Sequence, residues 1–158
     1  MKRGQTMSRP TRWFDDLKPG DSFAFGDTVM TEQAIIAFAR DYDPQPFHID
    51  PEAAKSSIFG GIIASGWHTS AVVMRMLCDH YVSPESSMGS PGIDELRWLK
   101  PVRPGDRLSV RVTILETVPS RSKPDRGMVR SLTETLNQDG EVVMSSRGMV
   151  LMRRKPGA

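Results

Sequence analysis

Between residues 31 and 82 the apolar positions of this chain recur at helical spacing, whereas beyond residue 106 they alternate. Ile35, Phe38, Ala39 and Tyr42 fall at i, i+3, i+4 and i+7, which predicts a helix with one buried face, capped by Thr31 and running to about Arg40. Asp50-Pro51 reads as an N-cap followed by proline at the first helical position, opening a short helix through Lys55. Trp67 to Val82 contains no breaker and carries Ala71, Val72, Val73, Met74, Met76, Leu77 and Tyr81, with His68, Arg75 and Asp79 on one narrow polar stripe. A helix apolar around most of its girth is expected to be enclosed on several sides. Leu108, Val110, Val112 and Ile114 then alternate with Arg107, Ser109, Arg111 and Thr113, the period of a half-buried strand. Two more strands, at about Met128–Leu136 and Glu141–Met152, flank a hairpin turn at Asn137-Gln138-Asp139-Gly140. An earlier strand at about Asp21–Val29 follows the turn Lys18-Pro19-Gly20-Asp21, and Arg103-Pro104-Gly105-Asp106 repeats that turn chemistry. Helices segregated from hairpin-linked strands give an α+β class, with an antiparallel sheet around one long helix.

Composition narrows the function without naming it. The chain has 158 residues, 38% of them hydrophobic, which suits one domain around one core. A net charge of +2 is too balanced for a dedicated nucleic-acid or anionic-membrane binder. No apolar run approaches the ~18 residues of a membrane span, and the basic start Met1-Lys2-Arg3 has no apolar stretch behind it to make a signal peptide. A single cysteine, Cys78, excludes an internal disulfide framework and fits a reducing, cytoplasmic compartment. Thirteen glycines and twelve prolines foretell many turns or elaborate loops. Residues 1–12 are expected to be a flexible segment, 13–154 the domain and 155–158 a flexible tail, with Arg153-Arg154-Lys155 solubilising the end.

The densest concentration of unusual residues is Asp41-Tyr42-Asp43-Pro44-Gln45-Pro46-Phe47-His48-Ile49-Asp50. Pro44 and Pro46 break a regular helix, so Asp43 and His48 are expected on a stiff loop that lets the two converge on one small object such as a water. A carboxylate and an imidazole sharing a water can deprotonate it and return the proton elsewhere. The residues by themselves favour the plainer reading, a turn-forming or capping Asp43 and a packed His48.

Asp43-Pro44-Gln45-Pro46-Phe47-His48-Ile49-Asp50, together with Phe59-Gly60-Gly61, Ala64-Ser65-Gly66-Trp67-His68-Thr69 and Gly92-Ile93-Asp94-Glu95-Leu96-Arg97-Trp98, resembles the MaoC-like acyl dehydratases, which include the R-specific enoyl-CoA hydratases. The similarity runs from roughly Phe14 to Arg153. It implies a single hotdog fold, a sheet wrapped around the helix at about 67–82, and reversible addition of water to an α,β-unsaturated acyl thioester. By that resemblance Asp43 and His48 activate the water and pass on the proton, and the Gly66 N–H receives the thioester oxygen. Gln45, Phe47, Ser65, Trp67 and His68 are the implied supporting or pocket residues. No cofactor is implied; the substrate is expected to be a coenzyme A thioester, and the working unit a homodimer or an assembly of dimers. The chain departs from the family pattern at Tyr42, where glycine is common, at Gln45, where asparagine is common, and at Ser65-Gly66-Trp67, where His-Gly-Met is common. The indole at position 67 argues against assuming long straight acyl groups.

Other residues read as structural. His68, Cys78 and His80 have no metal-ligand spacing, and no metal is expected. His68 is expected to hydrogen-bond on a helix face, and Ser65 to cap the central helix or bond a neighbour from the Asp43–His48 loop. Asp94 and Glu95 are adjacent, so on a strand they face opposite sides. Arg121, Lys123, Arg126 and Arg130 read as solvated charges, with coenzyme A phosphates as the alternative. Two other functions remain: a hotdog thioesterase, disfavoured because the central helix has no acid before Asp79, and a non-catalytic acyl-binding or partner subunit.

Overall fold

The computed structural model describes residues 11–158. Five strands form one antiparallel sheet in the order β1-β3-β4-β5-β2: β1 Ser22–Val29, β2 Gly92–Trp98, β3 Arg107–Pro119, β4 Arg126–Leu136 and β5 Val142–Arg153. Between β1 and β2 the chain makes four helices: α1 Glu32–Tyr42, α2 Pro46–Ile49, α3 Pro51–Lys55 and the long α4 Gly66–His80. This is the α+β arrangement that the pattern predicts, with α4 lying against β1 and β3.

The alternation in β3 has the expected consequence. Leu108, Val110, Val112 and Ile114 are each about 1% exposed and form the core with Val129, Val143, Val73 and Met76. Burying each such aliphatic side chain contributes roughly 1.5–3 kcal/mol relative to leaving it in water. Gly26 sits at a bulge in β1 with φ +87°, and a methyl there would overlap the Met76 sulfur, so the bulge lets α4 approach the sheet closely.

The two Pro-Gly turns are built alike. Asp21 and Asp106 each accept from a backbone N–H three residues earlier, at Lys18 (3.0 Å) and Arg103 (2.8 Å), while Gly20 and Gly105 take positive φ. The second turn sets the course of residues 98–103, which pair with the approach to α4 through Ala64 N–H and the Val102 carbonyl (2.8 Å).

Several expectations are corrected. The long helix stands where expected, at Gly66–His80, but it is not enclosed on all its apolar faces. His68, Thr69, Val73 and Met76 are buried, but Trp67 and Met74 are 59% and 49% exposed, and the outward face is open. The polar stripe has mixed surroundings: α1 covers it at His68, and at Arg75 it reaches solvent, where Arg75 pairs with Asp79 (2.9 Å). The Pro46 break is itself a start, because proline is tolerated at the first helical position, so His48 lies on the single turn α2. Residues 1–10 lie outside the described residues. Arg12, expected to be flexible, is held: its guanidinium lies over Phe23 and Tyr81 and donates to the Tyr81 carbonyl (2.6 Å). At the other end Arg153 closes β5, and Arg154 donates to the Asp15 carboxylate at 2.7 Å. The two ends of the domain are therefore clasped together, where a solubilising tail was expected.

Candidate active site

The Asp43–His48 segment is shaped by its backbone. Asp43 ends α1, its N–H still bonded to the Ala39 carbonyl (2.8 Å), with φ −152° and ψ 65° turning the chain out of the helix. Pro44 then forbids further helix, and Gln45 caps α2 through its backbone. Asp50 accepts from the Glu52 and Ala53 N–H groups at 3.0 and 3.3 Å and starts α3, as its sequence position predicts. Two helix ends thus fix the segment from both sides.

Asp43 Oδ2 and His48 Nε2 lie 3.3 Å apart, with side chains 18% and 6% exposed. His48 Nδ1 is 2.7 Å from the Ile63 carbonyl. A carbonyl only accepts, so Nδ1 carries a proton and donates, and in neutral His48 the Nε2 lone pair faces Asp43. A lone pair and a carboxylate cannot bond each other directly. They need a proton or a proton donor between them, and a water giving one hydrogen to each satisfies both.

Asp43 is held ready for that role. Burial by itself would raise its pKa, but hydrogen bonds donated by Gln45 and Ser65, with the nearby His48, outweigh burial and hold the carboxyl below the usual aspartate value. Gln45 Nε2 reaches Asp43 Oδ1 at 2.7 Å. The extra methylene relative to asparagine therefore still delivers the amide to the carboxylate. Ser65 is fully buried and does both jobs expected of it: its oxygen accepts the Trp67 N–H (3.2 Å), capping α4, and its hydroxyl donates to Asp43.

At the start of α4 the Trp67 and Thr69 N–H groups are satisfied by the Ser65 oxygen atoms, whereas the Gly66 N–H has no acceptor among the described residues. Gly66 lines the cleft, and its N–H lies at the positive end of the helix dipole. Glycine is required here because the space of a Cβ is occupied: a methyl would overlap the Trp98 indole.

The cleft itself has a volume of about 430 Å³ and is lined by Asp43, His48, Phe47 and Gly66, with the exposed Trp67 and Trp98 and the buried Thr69, Val102 and Val143. Phe47 packs edge-on to the His48 ring, centroids 4.6 Å apart. Among the expected supporting or pocket residues Ser65 does not line the cleft, and neither does His68. Its ring stacks on Phe38 of α1 (4.7 Å), burial lowers its pKa, and Nδ1 has no hydrogen-bond partner, contrary to the expected bonding role. Trp98, Thr69 and Val102 were not singled out from the sequence. Trp98 lies in a segment that carries the family resemblance, but nothing in its local pattern places it over Gly66. The basic residues at 121–130 lie elsewhere: Arg130 pairs with Asp94 (2.9 Å) and Glu116 (3.4 Å), and Arg126 with Asp125. No cluster of three or more metal-ligating side chains occurs among the described residues.

Comparison with known proteins accords with this geometry. The MaoC like domain model matches residues 16–135. The uncharacterized protein YdeM of Bacillus subtilis is 29% identical over 140 residues, covering 89% of this chain and 98% of its own length. The crystal structure of a MaoC-like dehydratase from Rhodospirillum rubrum superposes with a TM-score of 0.84 at 46% identity, over 92% of this chain and 99% of that one. The unliganded R-hydratase PhaJ1 of Pseudomonas aeruginosa gives 0.73 at 25% identity, over 90% and 86%. The chain has the hotdog fold and belongs to the MaoC-like dehydratase family, related to the R-specific enoyl-CoA hydratases.

Proposed function

We propose that this protein adds water reversibly to an α,β-unsaturated acyl thioester of coenzyme A, giving the 3-hydroxyacyl thioester. The observation that carries the reading is the Asp43–His48 pair, 3.3 Å apart and beside an unpaired helix N–H in one cleft. Hydration needs a nucleophile at the β-carbon, a proton at the α-carbon and a counterpart for the enolate-like oxygen between the two steps. His48 Nε2 takes a proton from the bridging water while Asp43, kept ionised, orients it. The hydroxide oxygen bonds to the β-carbon, the π electrons move toward the thioester oxygen at the Gly66 N–H, and the protonated His48 returns its proton to the α-carbon. General acid–base help of this kind is worth ~10²–10⁴-fold, and one oxyanion donor ~10²–10³-fold. Because a single pair both takes and returns the proton, hydroxyl and hydrogen arrive on the same face.

The test is incubation with crotonyl-CoA, following enoyl absorbance and free thiol together. Absorbance should fall with no thiol released; unchanged absorbance across crotonyl, branched and aromatic enoyl-CoAs would refute the reading. A thioesterase reading has less support, because the first carboxylate of α4 is Asp79, thirteen residues past Gly66 and about 20 Å along the axis at 1.5 Å per residue.

The active unit we propose is a homodimer. Trp67, Ala71, Met74 and Cys78 form an apolar stripe on the open side of α4, and the edge strand β2 and its end add exposed Ile93, Trp98 and Leu99. Light scattering should return twice the 17.6 kDa chain mass, and a monomer mass would refute it.

A further inference from the structure

The two ends of the cleft differ in chemistry. Its floor consists of residues 59–66 and 98–103 running antiparallel: Gly66 meets Trp98, Ala64 bonds Val102, and the Phe59 carbonyl accepts from Arg103 (2.6 Å). Asp43 and His48 stand over the middle, attached through Ser65 and Ile63. One end is therefore walled by Trp67 and Trp98, indoles edge to face with centroids 5.0 Å apart. The other holds Phe47 and Phe59, 5.2 Å apart, and just beyond the lining the exposed Arg103 guanidinium is anchored on the Phe59 carbonyl. Arg103 forms no ion pair among the described residues, whereas Lys100, between the two ends, is paired with Glu141.

We propose that the indole end receives the acyl group and the Arg103 end the carrier arm, and that Trp98, backed by Trp67, selects short acyl groups. This rests on the hydratase reading for the position of the thioester oxygen at Gly66. A coenzyme A thioester is polar in the same sense as the cleft, with phosphates on one side of the C–S bond and an apolar group on the other. An unneutralised guanidinium attracts the phosphates, and the aromatic wall suits a planar, apolar enoyl group. With its oxygen at Gly66 the acyl group begins under Trp98, because that indole fills the space beside the Gly66 Cα. A chain of a few carbons packs on the indoles, and a longer one has to displace them. One methylene of misfit in an apolar pocket discriminates about 10–200-fold.

The experiment compares wild type, Trp98→Ala, Trp98→Phe and Phe59→Ala. It measures kcat/KM for crotonyl-CoA and 2-octenoyl-CoA, and calorimetric Kd for the saturated butyryl- and octanoyl-CoA. Wild type should favour the C4 over the C8 group by at least about tenfold. Trp98→Ala should erase that preference in both rate and binding, Trp98→Phe should reduce it in part, and Phe59→Ala should leave the C4/C8 ratio within twofold. A ratio unmoved by Trp98→Ala overturns the proposal, as does a ratio moved by Phe59→Ala instead, which would reverse the substrate. If no enoyl-CoA is hydrated but Trp98→Ala still changes the C4/C8 ratio of Kd values, the hydratase reading fails and the acyl wall stands. Arg103→Ala should weaken butyryl-CoA binding about tenfold without changing the affinity for butyryl-pantetheine, which has no phosphate. Equal losses for both ligands would overturn the assignment of the carrier end.

Discussion

The two ends of the cleft are held in different ways. At the dyad, hydrogen bonds hold both residues: Asp43 by Gln45 and Ser65 and His48 Nδ1 by the Ile63 carbonyl, which leaves Nε2 facing Asp43 for the shared water. At the indole end no side-chain hydrogen bond among the described residues fixes either indole, and the Trp98 ring is placed by contact with Trp67 and by the absence of a side chain at Gly66. Directional bonds set a reacting geometry to a fraction of an ångström, which acid–base chemistry requires. A packed wall tolerates substitution of similar volume and changes what fits. Chemistry and selectivity should therefore separate under mutation.

The largest effects are expected at the bonded end. Asp43→Asn and His48→Ala should each lower kcat for crotonyl-CoA by at least ~10²-fold with an unchanged circular dichroism spectrum, and near-normal turnover in either would break the assignment. Gly66→Ala comes next and joins the two ends, since its methyl runs into the Trp98 indole. Overpacking of this kind costs about 1–3 kcal/mol, so a lowered denaturation midpoint should accompany a fall in kcat/KM. A second variant, Gly66→Ala with Trp98→Leu, should recover stability and sharpen the coupling.

Ser65→Ala is expected to be smaller and to act on both cap and carboxylate. Loss of an N-cap costs about 1 kcal/mol, measured by urea denaturation. Loss of its hydrogen bond also lets the Asp43 pKa rise. The sign follows from linkage: a carboxylate whose folded pKa is depressed contributes stability above its unfolded pKa, and that contribution is lost as pH falls through the folded value. Below about pH 4, stability should thus decline in wild type, and the decline attributable to Asp43 should be shallower in Ser65→Ala and absent in Asp43→Asn. Parallel acid limbs in all three proteins would show that Asp43 does not contribute. The smallest effect belongs to a residue outside both ends. His68→Leu should leave kcat unchanged and hold or raise stability by about 1 kcal/mol, because it removes a buried nitrogen with no partner. A loss of activity would return His68 to the pocket.

The sequence makes the sheet legible because alternation in β3 reports burial directly, residue by residue, from Leu108 to Ile114. Proline and aspartate punctuation makes the Asp43–His48 segment legible as unusual, but only its resemblance to the MaoC-like family singles out the pair as catalytic, because a turn aspartate and a packed histidine leave the same local pattern. Neither the open face of α4 nor the wall of the cleft could be read the same way. A helix rich in apolar residues has the same periodicity whether the fold or a second chain covers it, and Trp67 and Met74 carry no mark that they face outward. Trp98 reaches Gly66 only because the turn at Arg103–Asp106 brings residues 98–103 alongside 59–66, a contact set by tertiary structure. His68 was misplaced for a related reason: its stripe is polar at Arg75 and Asp79, but at its first turn α1 supplies Phe38 as a stacking partner and no hydrogen-bond partner for Nδ1.

The central claim is that the dyad directs water to the β-carbon and not to the thioester carbonyl. Turnover of crotonyl-CoA in water enriched with oxygen-18, followed by mass spectrometry of the intact product, separates the two. The expected product is 3-hydroxybutyryl-CoA carrying one heavy oxygen at C3 with the thioester unbroken. Free coenzyme A together with crotonate carrying the heavy oxygen in its carboxylate would contradict the account.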